Sequence, residues 1–119
     1  MSAATFLLCV VAVVTDGDSL RCMDGTRLRL AGIDAPELHA CRRGRVCAPG
    51  DPRAARRSLD ALTGSSVRYR VIDADPCRAG FQWTDHYGRT VAVVWSRGRD
   101  LSAEQLRRGH AVRWEAGCR

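Results

Sequence analysis

Leu28-Arg29-Leu30-Ala31-Gly32-Ile33-Asp34-Ala35-Pro36-Glu37 begins as a strand and ends as a chemical corner. Arg27 and Arg29 fall on one face and Leu28 and Leu30 on the other, the two-residue period of a strand with one buried side. Gly32 allows a bend or a close backbone approach. Pro36 ends the strand, because proline gives no ladder hydrogen bond. Arg29, Asp34 and Glu37 thus bring one guanidinium and two carboxylates to a single corner. That combination suits phosphate chemistry with a hard metal ion: the acids hold a cation or activate water, and the arginine clamps phosphate oxygens. Taken alone, the same residues describe an exposed ion pair worth little.

Towards the N-terminus, residues 6–14 form an apolar run read as a buried first strand. Thr15-Asp16-Gly17-Asp18-Ser19 is a turn in which Gly17 is expected to supply backbone freedom. A short second strand covers 20–23, Asp24-Gly25 makes a hairpin turn, and a third strand covers 27–33. Towards the C-terminus, residues 39–52 form a polar loop holding Arg42, Arg43 and Arg45. Asp51-Pro52 reads as an N-cap with proline at the first helical position. Ala55, Leu59 and Leu62 follow at helical spacing, with Gly64 as the stop. Strands at 67–71 and 90–95 are separated by a loop over 73–87. Arg97-Gly98 turns the chain into a helix over 101–108, capped by Asp100 or Ser102 and ended by Gly109, and 111–114 is extended. Five strands with a helix between the third and fourth predict a mainly β chain with short helices: a five-stranded Greek-key barrel, the OB-fold. Such a fold commonly binds nucleic acid on its open face, but it proves no function by itself.

The 119 residues suffice for one core, hence one domain over 1–119. A net charge of +6 favours a polyanionic partner, although an inert basic surface has the same sum. Six cysteines show no paired C-x-x-C spacing and no histidine placed to complete a zinc site, so structural zinc is not expected. Cys41 and Cys47 flank the arginine loop, and Cys9 and Cys22 flank the first turn; both pairs read as local staples. Disulfides would place the protein outside the reducing cytosol, secreted or periplasmic. The run over 6–14 has no basic residue before it and no cleavage site after it, and is too short to span a bilayer.

Three segments now stand in order: Thr15-Asp16-Gly17-Asp18-Ser19-Leu20, Arg29 to Glu37, and Thr84-Asp85-His86-Tyr87-Gly88-Arg89. Together they resemble the thermonuclease, or staphylococcal-nuclease-like, family over roughly residues 8–114. The resemblance implies a calcium-dependent nuclease hydrolysing phosphodiester bonds of DNA and RNA, single-stranded or frayed, with little sequence preference. By position it implies calcium held by Asp18, Asp34 and the backbone carbonyl of Ala35. It makes Glu37 the residue that activates or orients water, Arg29 and Arg89 the pair that holds the scissile phosphate, and Tyr87 a neighbour of a nucleotide phosphate. Arg42, Arg43 and Arg45, next to Glu37, are candidates for phosphate contact or for a solvated loop. The chemistry agrees: calcium takes several oxygen ligands, and fixed guanidinium groups favour the charge that grows on phosphate oxygens.

Other residues read more plainly. Asp16 suits turn chemistry rather than ligation, Asp85 either a turn cap or a partner to the arginine loop, with the cap favoured, and His39, His86 and His110 exposed or packed positions. Trp83, Trp95 and Trp114 are candidates for base stacking, but tryptophan is more often core. Two departures from the family stand out. Relatives commonly continue into a third helix, for which this chain leaves no room before Arg119, so apolar surface is expected to be exposed or compensated by a disulfide such as one to Cys118. The tyrosine that many relatives place after the final strand is unmatched, with Glu115 near that position. The competing expectation is a non-catalytic OB module binding single strands or protein. The expected state is a monomer with no membrane partner.

Overall fold

The computed structural model describes residues 5–39, 41, 44–115 and 118. Strands β1 (Leu7–Asp16), β2 (Ser19–Cys22) and β3 (Arg27–Leu30) form an antiparallel meander. After the short β4 (Ile33–Asp34) and helix α1 (Pro52–Leu62), β5 (Ser66–Val71) pairs with the free edge of β1, and β6 (Thr90–Ser96) with β5. β6 then runs parallel to β3, with Leu28 opposite Thr90 and Leu30 opposite Ala92. That last pairing closes the order β3-β2-β1-β5-β6 into a five-stranded mixed barrel, the expected OB topology. β7 (Arg99–Asp100) continues from β6 by a hairpin whose Arg97 and Gly98 both have positive φ. Helix α2 (Leu101–Arg107) and β8 (Val112–Arg113), which pairs with β4, complete the described elements.

Leu20, Leu28, Leu30, Val67 and Val94 point into the barrel, and Ile33, Leu59 and Leu101 close over the same core. On α1, Ala55, Leu59 and Leu62 make one buried stripe. Asp51 caps the helix, accepting hydrogen bonds from the Arg53 and Ala54 amides. Asp100 caps α2 through the Ala103 amide, while Ser102 donates to the Ala31 carbonyl instead. Disulfides join Cys9 to Cys22 across β1 and β2, Cys41 to Cys47 within the arginine loop, and Cys77 to Cys118.

The sequence expectations need four corrections. The third strand does not run unbroken over 27–33: it stops at Leu30, and Gly32, at φ 78°, turns the chain into β4. α1 ends at Thr63, whose backbone is extended and whose hydroxyl donates to the Leu59 carbonyl; Gly64 instead donates its amide to Ser96. β1 is only half buried, because a barrel strand turns alternate residues inward: Cys9 and Val14 are buried, while Leu8, Val10 and Val13 are exposed. Trp83 and Trp114 are exposed and Trp95 is half-buried against Phe6, so no tryptophan belongs to the core.

Candidate active site

The barrel brings the three segments to one cleft of about 270 Å³. Its walls carry Asp16, Asp18, Asp34 and Glu37 against Arg27, Arg29, Arg45 and Arg89, with Tyr87 at the side. A cavity of about 530 Å³ between α2 and β4 holds none of these acids, so its size does not bear on this chemistry.

Asp18 enters from the turn between β1 and β2. The turn is built by Asp16, whose Oδ1 accepts the Asp18 amide at 3.2 Å and the Ser19 hydroxyl at 2.5 Å. Asp16 therefore acts in the turn, as its sequence position suggests. Gly17 is needed for space rather than for backbone freedom: it is absent from the positive-φ positions, and a Cβ there would lie 2.6 Å from the Ala55 Cβ and 2.8 Å from the Ala35 Cβ. The turn can thus press against α1 and the β4 corner only without a side chain.

β3 and β4 deliver the opposite wall. Arg29 Nη1 lies 2.8 Å from Asp18 Oδ2 and its Nη2 3.4 Å from Asp34 Oδ1, so one guanidinium bridges both buried carboxylates. Asp18 Oδ2 also accepts the Ala35 amide at 2.8 Å. Burial pushes the Asp18 carboxyl up to about 7; Arg29 works against that shift, and the bond to Asp16 works with it. Asp16 is pulled below the usual carboxylate range: burial opposes the shift, and its bonds to Asp18 and Ser19 outweigh burial. The Ser19 hydroxyl lies between the two acids, 2.5 Å from Asp16 Oδ1 and 3.1 Å from Asp18 Oδ1.

Glu37 is half-buried at the rim, where Arg45 Nη1 meets its Oε1 at 2.9 Å. The other prong of Arg45 is 3.5 Å from Asp34 Oδ1. The Cys41–Cys47 disulfide closes this loop, and Cys41 Sγ lies 3.3 Å from the Arg45 carbonyl. Arg45 therefore reaches the cleft; Arg42 and Arg43 lie outside the described residues.

Arg89 is presented by the turn before β6. Asp85 accepts the Tyr87 and Arg89 amides through Oδ1, and Arg89 Nε through Oδ2 at 2.8 Å. Asp85 is the turn cap that the sequence favoured, and it also pairs with Arg89, which the sequence reading did not anticipate. Burial would raise its carboxyl, but the bonds from Arg89 and Tyr87 hold it below the usual range. The Arg89 guanidinium lies 5.2 Å from the Tyr87 ring centroid, and Arg27 donates to the Tyr87 carbonyl.

Sequence reading missed Gln105. Fully buried on α2, it donates through Nε2 to the carbonyls of Gly17 (2.8 Å) and Ala55 (3.0 Å) and accepts from the Ser58 hydroxyl at 2.6 Å. It thereby pins the Asp18 turn to α1. The available signal was a polar residue one helical turn after Leu101, on the apolar side of α2.

As a donor set, Asp18 and Asp34 offer buried carboxylate oxygens, the ligand type a hard divalent ion takes while completing its shell with water, and Arg29 bridges both. Among the described residues no group of three or more His, Cys, Asp or Glu is arranged around a metal position. The acids fit an open site with few protein ligands, not a closed structural one.

The family model described as "Staphylococcal nuclease homologue" matches residues 27–117, which include Arg29, Asp34, Glu37, Tyr87 and Arg89 but not Asp18. The chain is 39% identical over 99 residues to the "Probable endonuclease lcl3" of Emericella nidulans, covering 75% of this chain and 31% of that protein. With the "Probable endonuclease lcl3" of Aspergillus terreus it shares 40% identity over 98 residues, 75% of this chain and 29% of the relative. The chain spans less than a third of the length of these curated relatives.

Proposed function

Because the chain belongs to the staphylococcal nuclease homologue family, we propose that it is a nuclease that hydrolyses phosphodiester bonds of single-stranded or frayed DNA and RNA, and that it requires calcium. The observation that carries this reading is the juxtaposition of Arg29, Glu37 and Arg89 around the buried pair Asp18 and Asp34. Asp18, Asp34 and the Ala35 carbonyl would hold calcium, which when bound neutralises phosphate charge and acidifies water.

This chain's own residues do the rest. Arg29 and Arg89 approach a phosphate from two walls of the cleft and stabilise the charge that grows on its oxygens during attack. Glu37 takes a proton from the attacking water as the new phosphorus–oxygen bond forms, and the ester oxygen departs as an alcohol, its proton coming from solvent. Arg45 fixes one Glu37 oxygen, and Asp85 keeps Arg89 aimed by holding its Nε. Tyr87 flanks the phosphate position beside Arg89. These contacts go to phosphate, which supports low sequence preference. Arg42 and Arg43 are proposed to add attraction for the strand. Three disulfides support an oxidising compartment, secreted or periplasmic. We read the chain as one domain and a monomer; no described helix is long and apolar enough to cross a membrane.

Digestion of single-stranded DNA and RNA oligomers with calcium, and again with excess chelator, tests the reading. Cleavage with calcium and none with chelator is expected. Undiminished cleavage in chelator overturns the metal assignment. Binding without cleavage in calcium replaces the nuclease with a non-catalytic module.

A further inference from the structure

The chain holds seven Phe, Trp and Tyr residues, and three of them, Phe81, Trp83 and Tyr87, sit on the segment between β5 and β6. Phe81 and Trp83 touch edge to face, with centroids 4.7 Å apart and planes at 64°. Both are exposed, Trp83 by 69%. Two large rings left in water are costly unless something covers them.

The loop is held by polar bonds and a cross-link. Gln82, between the two rings, donates its amide to Asp73 Oδ1 at 3.1 Å and accepts the Ala74 amide at 2.9 Å. Its side chain donates to the Ala79 carbonyl at 3.0 Å. Cys77 ties the loop to Cys118. With Gln82 fixed on both sides, Phe81 and Trp83 are displayed from a braced backbone, which lowers the ordering cost of binding. The same loop runs directly into Asp85, Tyr87 and Arg89 of the cleft. Tyr87 lies four positions after Trp83, a backbone span of at most about 14 Å.

We propose that Phe81 and Trp83 form a stacking platform for the bases of a single nucleic-acid strand whose phosphate lies in the Arg29–Arg89 cleft. This rests on the nuclease reading above. Aromatic faces take any base, because every base has a π-face, and the chain's net charge of +6 attracts a polyanionic strand. In a duplex the base faces are already stacked on one another, so the platform favours single strands and frayed ends. It therefore gives a structural reason for the strand preference, independent of the phosphate contacts.

The test uses the full chain carrying Glu37→Gln with calcium present, so that strand is bound rather than cut. The probes are a short oligothymidylate and an abasic oligomer of the same length. Trp83→Ala is expected to weaken oligothymidylate binding by about tenfold or more, the scale of one lost base–aromatic stack. The abasic oligomer should lose less than about twofold, because it keeps the phosphate contacts and has no rings to stack. Trp83→Phe should recover most of the affinity. Equal loss on both oligomers, or unchanged oligothymidylate binding, overturns the platform. If the unsubstituted chain cuts oligothymidylate and Trp83→Ala changes nothing, the platform alone fails. If the unsubstituted chain neither binds nor cuts it, the nuclease reading falls with it.

Discussion

Asp18 is buried against Arg29 and Asp16 with its carboxyl raised to about 7. A raised carboxylate pKa means that the folded state keeps a proton the unfolded chain has released. The resulting stability is full below the unfolded value of 3.8 and is lost as pH rises through about 7. Asp16 is shifted the other way, so its contribution changes below 3.8 and leaves the upper window to Asp18. Urea unfolding without metal should therefore show stability falling between about pH 4 and 7, and Asp18→Asn should flatten that fall. An unchanged slope in the variant would assign the proton elsewhere. A divalent cation favours ionised Asp18, so calcium should raise Tm more at pH 8 than at pH 5. Asp18, Arg29, Asp34 and Arg89 were legible because each sits in a short local motif. Their ion pairs were not: Arg29 meets Asp18 across two strands, and Arg45 reaches Glu37 from a cross-linked loop.

The turn between β1 and β2 shows what an element needs beyond its own sequence. Turn chemistry at Asp16 and Ser19 is local and was readable. The demand on Gly17 comes from Ala55 and Ala35, distant in the chain, so sequence alone suggested the wrong reason for the glycine. Gly17→Ala should cost about 1–3 kcal/mol through overpacking. Because the added methyl pushes Asp18 away from the β4 corner, activity should fall further than stability predicts. Gln105→Leu leaves the Gly17 and Ala55 carbonyls without their donor and should also cost about 1–3 kcal/mol. Thermal melts beside oligomer cleavage separate the two effects; wild-type Tm and activity in both variants would contradict the clamp. The strands around Arg29 and Arg68 were legible from period-two alternation, and β1 only from its apolar run. Gly32 was readable as a possible bend, but the separate strand at Ile33 and Asp34 was not, because it exists only by pairing with β8 far along the chain.

At the scale of the molecule, disulfides supplement a small core. The bond Cys77–Cys118 spans 41 residues and Cys41–Cys47 spans 6. On the chain-entropy model these are worth about 4 and about 2 kcal/mol respectively. Reductant should lower Tm markedly, and Cys41→Ser with Cys47→Ser should leave the barrel folded while loosening Arg45; mass spectrometry of non-reduced protein finding free Cys41 and Cys47 would contradict this. The two short-range pairs could be anticipated from the loops they flank, whereas Cys77–Cys118 depends on how the barrel brings distant segments together. Barrel closure was legible as strand order. The exposed apolar face of β1 was not, because the run over 6–14 is apolar on both faces and alternation gives no sign there.

The central claim is that the cleft performs hydrolysis rather than binding alone. Steady-state cleavage of single-stranded DNA in calcium by Glu37→Gln, with strand affinity measured in parallel, tests it most directly. Glutamine keeps the shape and removes the base, so kcat should fall by about 10²-fold or more while affinity changes little. A folded Glu37→Gln protein with near-normal kcat would contradict the account.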